Sequence, residues 1–173
     1  FCVCVTTPSN RRVGIIGLAG TDYFSTLNFD SSQFSLEEPV TCAKRLMALL
    51  TKEHKCDVVL ALTHMRAADD ERLVEAVPDL LVLGAHDHEV MERPVPKCGS
   101  DWQHIILMSY NFDTRKRSVK IVPVTSQYAP DELVAAEVNR WQDVMDAGNK
   151  KVIATLLRPL DLRTSLIRVA EAP

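Results

Sequence analysis

Two short apolar runs without alternation constrain this chain more than anything else in it. Asp57 to Leu62 reads DVVLAL and Asp79 to Leu83 reads DLLVL. Runs of this length that lack a polar residue at every second position are strands covered on both faces, as in parallel sheets. Between them, Asp69-Asp70 can cap a short helix reaching Val77, with Leu73, Val74 and Val77 facing inward. Strand, helix and strand over that distance imply a right-handed parallel crossover. The expected fold class is therefore α/β, a mostly parallel or mixed sheet with flanking helices.

Other elements arrange themselves around this unit. The opening reads as two strands, Phe1 to Thr6 and Arg12 to Leu18, turned by Pro8-Ser9-Asn10 into a hairpin. Cys2 and Cys4 alternate with Val3 and Val5, so both thiols share one face, where core packing is expected rather than a metal clip. Ser35 with Glu38 forms a capping box ahead of Pro39, predicting a helix from about Leu36 to Lys55. Val40, Ala43, Met47 and Leu50 recur at helical spacing and should cover the sheet. Pro94, Pro96 and Gly99 mark a loop, and His104 to Ser109 with Ser118 to Val124 suggest an antiparallel pair. A second long helix is predicted from Pro130 to about Ala147, with Val134, Val138, Trp141 and Met145 on a stripe expected to pack into the core.

Composition narrows the functional classes. Of the 173 residues 46% are apolar, enough for a sizeable core, and the net charge of −3 with scattered basic residues argues against nucleic acid as a partner. No apolar run reaches the roughly 18 to 20 residues of a membrane span, so no membrane partner is expected. The five cysteines lack the paired spacing of a zinc ribbon or a disulfide framework, which points to reduced thiols and a cytoplasmic setting. The first residue is Phe1 rather than Met, which suggests an excerpt or a processed form.

Both buried strands lead into histidine: Thr63-His64-Met65-Arg66 after the first, Gly84-Ala85-His86-Asp87-His88 after the second. Open α/β sheets place their ligands at this carboxyl edge. On strands that are neighbours, or one strand apart, His64, His86 and His88 can converge on one point, and imidazole suits Zn, Mn, Fe, Ni or Cu. Gly84 lets the backbone turn sharply out of the strand. Alternation points His86 and His88 one way and Asp87 the other, giving Asp87 a hydrogen-bonding role behind the metal ligands. Arg66 could touch a phosphate, cap the helix or pair with Asp69 or Asp70. His54 and His104 have no such context.

The stretch CDVVLALTHMRAADDERLVEAVPDLLVLGAHDH resembles the calcineurin-like metallophosphoesterases, specifically their 5′-nucleotidase branch. There a strand ending in T-H leads through a helix to G-[GA]-H-x-H. RRVGIIGLAG and TDYFSTL look like the preceding strand and segment, and LDLRTSLIRVAE is similar to the connector towards the nucleotidase substrate domain. One departure stands downstream: where the branch has a strand followed by Ser-Gly and an Asp-Phe pair, this chain reads Ser109-Tyr110-Asn111-Phe112.

The resemblance implies that residues 1–150 are the second half of a metallophosphoesterase αββα sandwich and 151–173 a connector. It implies two divalent metals (Zn, Mn, Fe, Co or Mg), with His64 and His86 on the second and His88 on the first, hydrolysing a nucleotide or related phosphate ester. The family's Asp-x-His, Gly-Asp-x-x-Asp and Gly-Asn-His motifs are absent from the chain, so no catalytic residue is expected within it and the isolated chain should be inactive. The rival expectation is a non-catalytic metal-binding or interaction domain of the same descent. Half a sandwich would also leave strand edges and apolar sheet surface exposed, hence an expected homodimer.

Overall fold

The computed structural model describes residues 2–22, 34–150 and 152. The chain divides into two compact units, Phe1–Ser126 and Gln127–Pro173. Nearly all of the expected connector, 151–173, lies outside the described residues.

The first unit is an α/β structure with a mixed sheet. Its strands are β1 (Cys2–Thr6), β2 (Arg12–Ala19), β3 (Val58–His64), β4 (Leu81–Ala85), β5 (Val90–Met91) and β6 (Lys97–Cys98), in the spatial order β1-β2-β3-β4-β6-β5. β2, β3, β4 and β6 run parallel, and β1 and β5 pair antiparallel at the two edges. The expected hairpin is present: Asn10, at φ +59, donates its N–H to the Thr7 carbonyl at 2.9 Å. The anticipated loop around Pro96 instead contributes β6, because the Gly84 N–H reaches the Pro96 carbonyl at 3.0 Å.

α1 (Pro39–Lys52) and α2 (Ala67–Ala76) cover one face of the sheet. They bury Ala43, Leu46, Leu50, Leu73 and Val77 against Ile16, Leu18, Val59, Ala61 and Val82. Cys2 and Cys4 pack against this same core. Each fully buried aliphatic side chain contributes about 1.5–3 kcal/mol, so this layer dominates the stability of the unit. The opposite face is open at Leu62, 49% exposed, and at Val5, 46% exposed. A hairpin of β7 (His104–Asn111) and β8 (Lys116–Pro123) forms a separate two-stranded sheet, closed by Asn111 Oδ1 accepting from the Asp113 and Thr114 amides.

α1 starts later than its expected capping box. Its N-cap is Glu38, not Ser35, and Glu38 Oε2 accepts from the Thr41 N–H at 2.8 Å. Pro39 sets this boundary, since the residue before a proline is driven out of helical conformation. The Thr41 amide holds the Glu38 carboxyl below its ordinary value. Replacing Glu38 with Ala should therefore cost about 0.5–1 kcal/mol at neutral pH. A depressed carboxyl pKa stabilises the fold above the unfolded value of 4.5 and loses that contribution as pH falls through the folded value. Urea midpoints of wild type and variant should accordingly converge in acid.

The second unit contains α3 (Glu132–Asn149), capped by Asp131 Oδ1 accepting from the Leu133 and Val134 amides. None of its described residues is buried. Among the described residues of this unit, nothing covers Val134, Val138, Trp141 and Met145, the stripe expected to pack into a core. Amphipathic spacing shows that a face is apolar, not that the same chain covers it. No helix among the described residues is long and apolar enough to cross a membrane.

Candidate functional site

β3 runs two residues further than expected, making His64 its last residue and pairing it with Ala85 at the end of β4. His86 follows at once, and the two imidazoles lie 5.0 Å apart between centroids, tilted by 36°. The end of β2 completes this edge: Ala19 pairs with His64, and the Gly20 N–H donates to the His64 carbonyl at 2.9 Å. Two residues on, Asp22 Oδ2 accepts from Arg66 Nε at 2.8 Å and lies 3.6 Å from His86 Nε2. A Cβ on residue 20 would approach Asp22 Oδ1 to 2.7 Å, so glycine there leaves room for the carboxylate.

Beneath the histidines lies a buried charge network. Lys97, 1% exposed, places Nζ 2.7 Å from the Met65 carbonyl, 2.7 Å from the Ala85 carbonyl and 2.8 Å from Asp87 Oδ2. Asp70 Oδ2 is a fourth oxygen neighbour at 2.8 Å. Asp70 is wholly buried, and its other oxygen accepts from Thr63 Oγ1 at 2.6 Å. Desolvating an ion pair costs several kcal/mol; here the three ammonium hydrogens go to Met65, Ala85 and Asp87, and Asp70 Oδ2 is held by charge alone, without a hydrogen bond of its own. The Lys97 hydrogen bond holds the Asp87 carboxyl below its ordinary value, and the Ala67 amide at the start of α2 acts in the same direction. One ammonium thus tethers the residue after His64, the residue before His86 and the residue between His86 and His88.

Gly84 serves this network more than it serves a turn. A Cβ there would lie 2.8 Å from Asp70 Oδ2 and 3.1 Å from both Lys97 Cε and Val95 Cγ1. The turn itself falls on His86 and His88, at φ +89 and +58. Non-glycine residues enter this region at a cost, and the surroundings must hold them there.

That turn overturns the alternation argument. Alternation requires extended backbone, which ends at Ala85, so His86 and His88 do not share a direction on that ground. His88 is exposed, and among the described residues no group of three His, Cys, Asp or Glu side chains is placed to hold a metal ion. The structure brings together His64, His86, Asp22 and Arg66, but the expected three-histidine convergence is not present. Arg66 is the N-cap residue of α2 and pairs with Asp22, while Asp69 pairs with Arg72 and Asp70 with Lys97. Ser109-Tyr110-Asn111 belongs to β7, paired along its length with β8, and is not a loop at the histidine edge.

Sequence reasoning missed Asp22 and Lys97, and it gave Asp70 a capping role that the structure replaces with a buried place inside α2, where Arg66 is the N-cap. Asp70 was the most accessible, since it precedes Leu73 and Val77 at helical spacing and so shares their inward face. Lys97 carried only a weak signal, being a residue type almost never buried alone. Comparison with known protein families, curated proteins and solved structures found no match for this chain.

Proposed function

We propose that this chain is part of a dinuclear-metal phosphohydrolase of the calcineurin-like, 5′-nucleotidase kind, acting on nucleotides or related phosphate esters. The observation that carries the proposal is the approach of His64 and His86 to 5.0 Å at the carboxyl edge of two adjacent parallel strands. Their T-H and G-A-H-x-H motifs are the most specific part of the family resemblance. The open face at Val5 and Leu62 suits a second sheet packed against the first, as in an αββα sandwich.

Two imidazoles and a carboxylate are suitable donors for Zn or Mn, but they do not enclose an ion. The Asp22 carboxylate is already engaged by Arg66. On this reading the remaining ligands come from outside the 173 residues, and no turnover step is assigned to this chain alone. It should hydrolyse neither AMP nor an aryl phosphate.

Isothermal titration with Zn or Mn tests the metal proposal. Weak binding is expected, falling about tenfold or more in the His64→Ala/His86→Ala variant. Equal affinity in wild type and variant would remove these histidines from the reading. It would then favour a non-catalytic interaction domain, which the engagement of Asp22 by Arg66 already suits.

The open sheet face carries a further expectation. Apolar patches above a few hundred Å² seldom stay bare on a monomer, so the chain should form homodimers or larger species as concentration rises. Size exclusion with light scattering measures this directly, and a monomer at every concentration would contradict it.

A further inference from the structure

Cys4 and Cys56 are separated by 52 residues, yet their Sγ atoms lie 3.3 Å apart. Both are free thiols. Closing that gap to a disulfide requires a shift of little more than 1 Å, within reach of side-chain rotation. We propose that this pair is a disulfide-forming site that staples the edge strand β1 to the segment entering β3.

The proximity is built by rigid elements on both sides. Cys4 sits mid-strand and pairs with Gly14 of β2. Gly14 has no side chain, and a Cβ there would meet Cys56 Sγ at 3.3 Å and Leu50 Cδ1 at 2.9 Å. The space beside Cys4 is therefore open to the second sulfur. Cys56 is held by its own N–H donating to the Leu50 carbonyl at 2.9 Å. On either side of it, Arg12 Nε donates to the His54 carbonyl at 2.8 Å and the Asp57 N–H to the Arg12 carbonyl at 2.7 Å. Neither thiol lies on a segment that must move far to react.

The chemistry balances with a low-molecular-weight disulfide such as oxidised glutathione. Cys4 is the half-exposed member and Cys56 the buried one. Burial, and then the hydrogen bond with Cys4, pushes the Cys56 thiol up to about 11, making it the poorer initial nucleophile. The Cys4 thiolate attacks one glutathione sulfur, breaking its S–S bond and releasing one glutathione thiolate. Cys56 then loses its proton and attacks Cys4 Sγ in the mixed disulfide, releasing the second glutathione. The protein loses two protons and two electrons, and one oxidised glutathione becomes two reduced.

The consequence is local. Among the described residues β1 is an outer strand, paired in the sheet with β2. A link to Cys56 would tie it across β2 to the parallel core.

The full chain should be incubated with oxidised glutathione, blocked with iodoacetamide and mapped by peptide mass spectrometry with fragmentation to separate Cys2 from Cys4. A Cys4–Cys56 linked peptide is expected in native protein, absent from Cys4→Ser and Cys56→Ser. The melting temperature should rise by roughly 5–15 °C on oxidation of wild type but not of either variant. Recovery of Cys4 and Cys56 as separate alkylated or glutathionylated residues would overturn the proposal. So would the same linkage forming equally well in urea, where native proximity is lost. Cys2→Ser keeps the test decisive if a Cys2 linkage competes, since the proposal requires the Cys4–Cys56 link to persist in that variant.

Discussion

Replacing Lys97 with Met is expected to destabilise the Phe1–Ser126 unit by about 3–5 kcal/mol, read from urea or thermal unfolding. The variant nearly preserves side-chain volume, so packing loss is not the main term. It removes the ammonium that faces Asp70 and Asp87 at 2.8 Å each and the hydrogen bonds it donates to the Met65 and Ala85 carbonyls. Asp70 has no route to solvent, and its hydrogen bond from Thr63 cannot replace a counter-charge. Domains of this size are stable by only about 5–15 kcal/mol, so the loss should be visible as a large drop in melting temperature. Adding Asp70→Asn to Lys97→Met should recover about 1–3 kcal/mol, because it removes the stranded charge while leaving an acceptor for Thr63. A cost below about 1 kcal/mol for Lys97→Met would mean that the pair is not buried as described.

The same network makes Gly84→Ala costly, by about 1–3 kcal/mol, although alanine is the smallest possible addition. Its methyl would enter contacts of 2.8 Å to Asp70 Oδ2 and 3.1 Å to Lys97 Cε and Val95 Cγ1. All three neighbours are buried side chains held by partners, so none can swing into solvent to make room. Gly17→Ala provides the contrast within the same sheet. A Cβ at Gly17 meets nothing within 4 Å, and alanine there should be neutral or slightly stabilising by shrinking the freedom of the unfolded chain. Measuring both variants by urea unfolding separates a steric requirement at residue 84 from a general preference for glycine in these strands. Equal effects at the two positions would refute the steric account.

Much of the fold was legible because its signals are local. The runs DVVLAL and DLLVL became β3 and β4, parallel and adjacent in the sheet interior, although the expected cover on both faces is missing at Leu62, which is exposed. Of the expected stripe Val40, Ala43, Met47 and Leu50, the structure buries Ala43 and Leu50 fully and Val40 and Met47 in part, with Leu46 completing the buried face of α1. His64 and His86 stand at the ends of those strands for the same reason, because the apolar run stops where the sheet edge meets solvent. The placement of two histidines at one edge could therefore be read directly from the chain.

What the chain alone did not determine is how charges pair once distant segments meet. Lys97 looks like a surface residue until β6 is laid beside β4, when its ammonium finds two carboxylates and two backbone carbonyls from two stretches, residues 65–70 and 85–87. Asp22 gains its place only because β2 ends opposite His64, and Arg66 pairs with it rather than with Asp69 or Asp70. The direction of His88 depends on a turn at positive φ that no alternation rule contains, and the fate of the α3 stripe depends on what else is near it. Periodicity records how much of each segment avoids water. The identity of each partner is decided by long-range pairing, where a few ångströms separate a satisfied buried charge from an intolerable one.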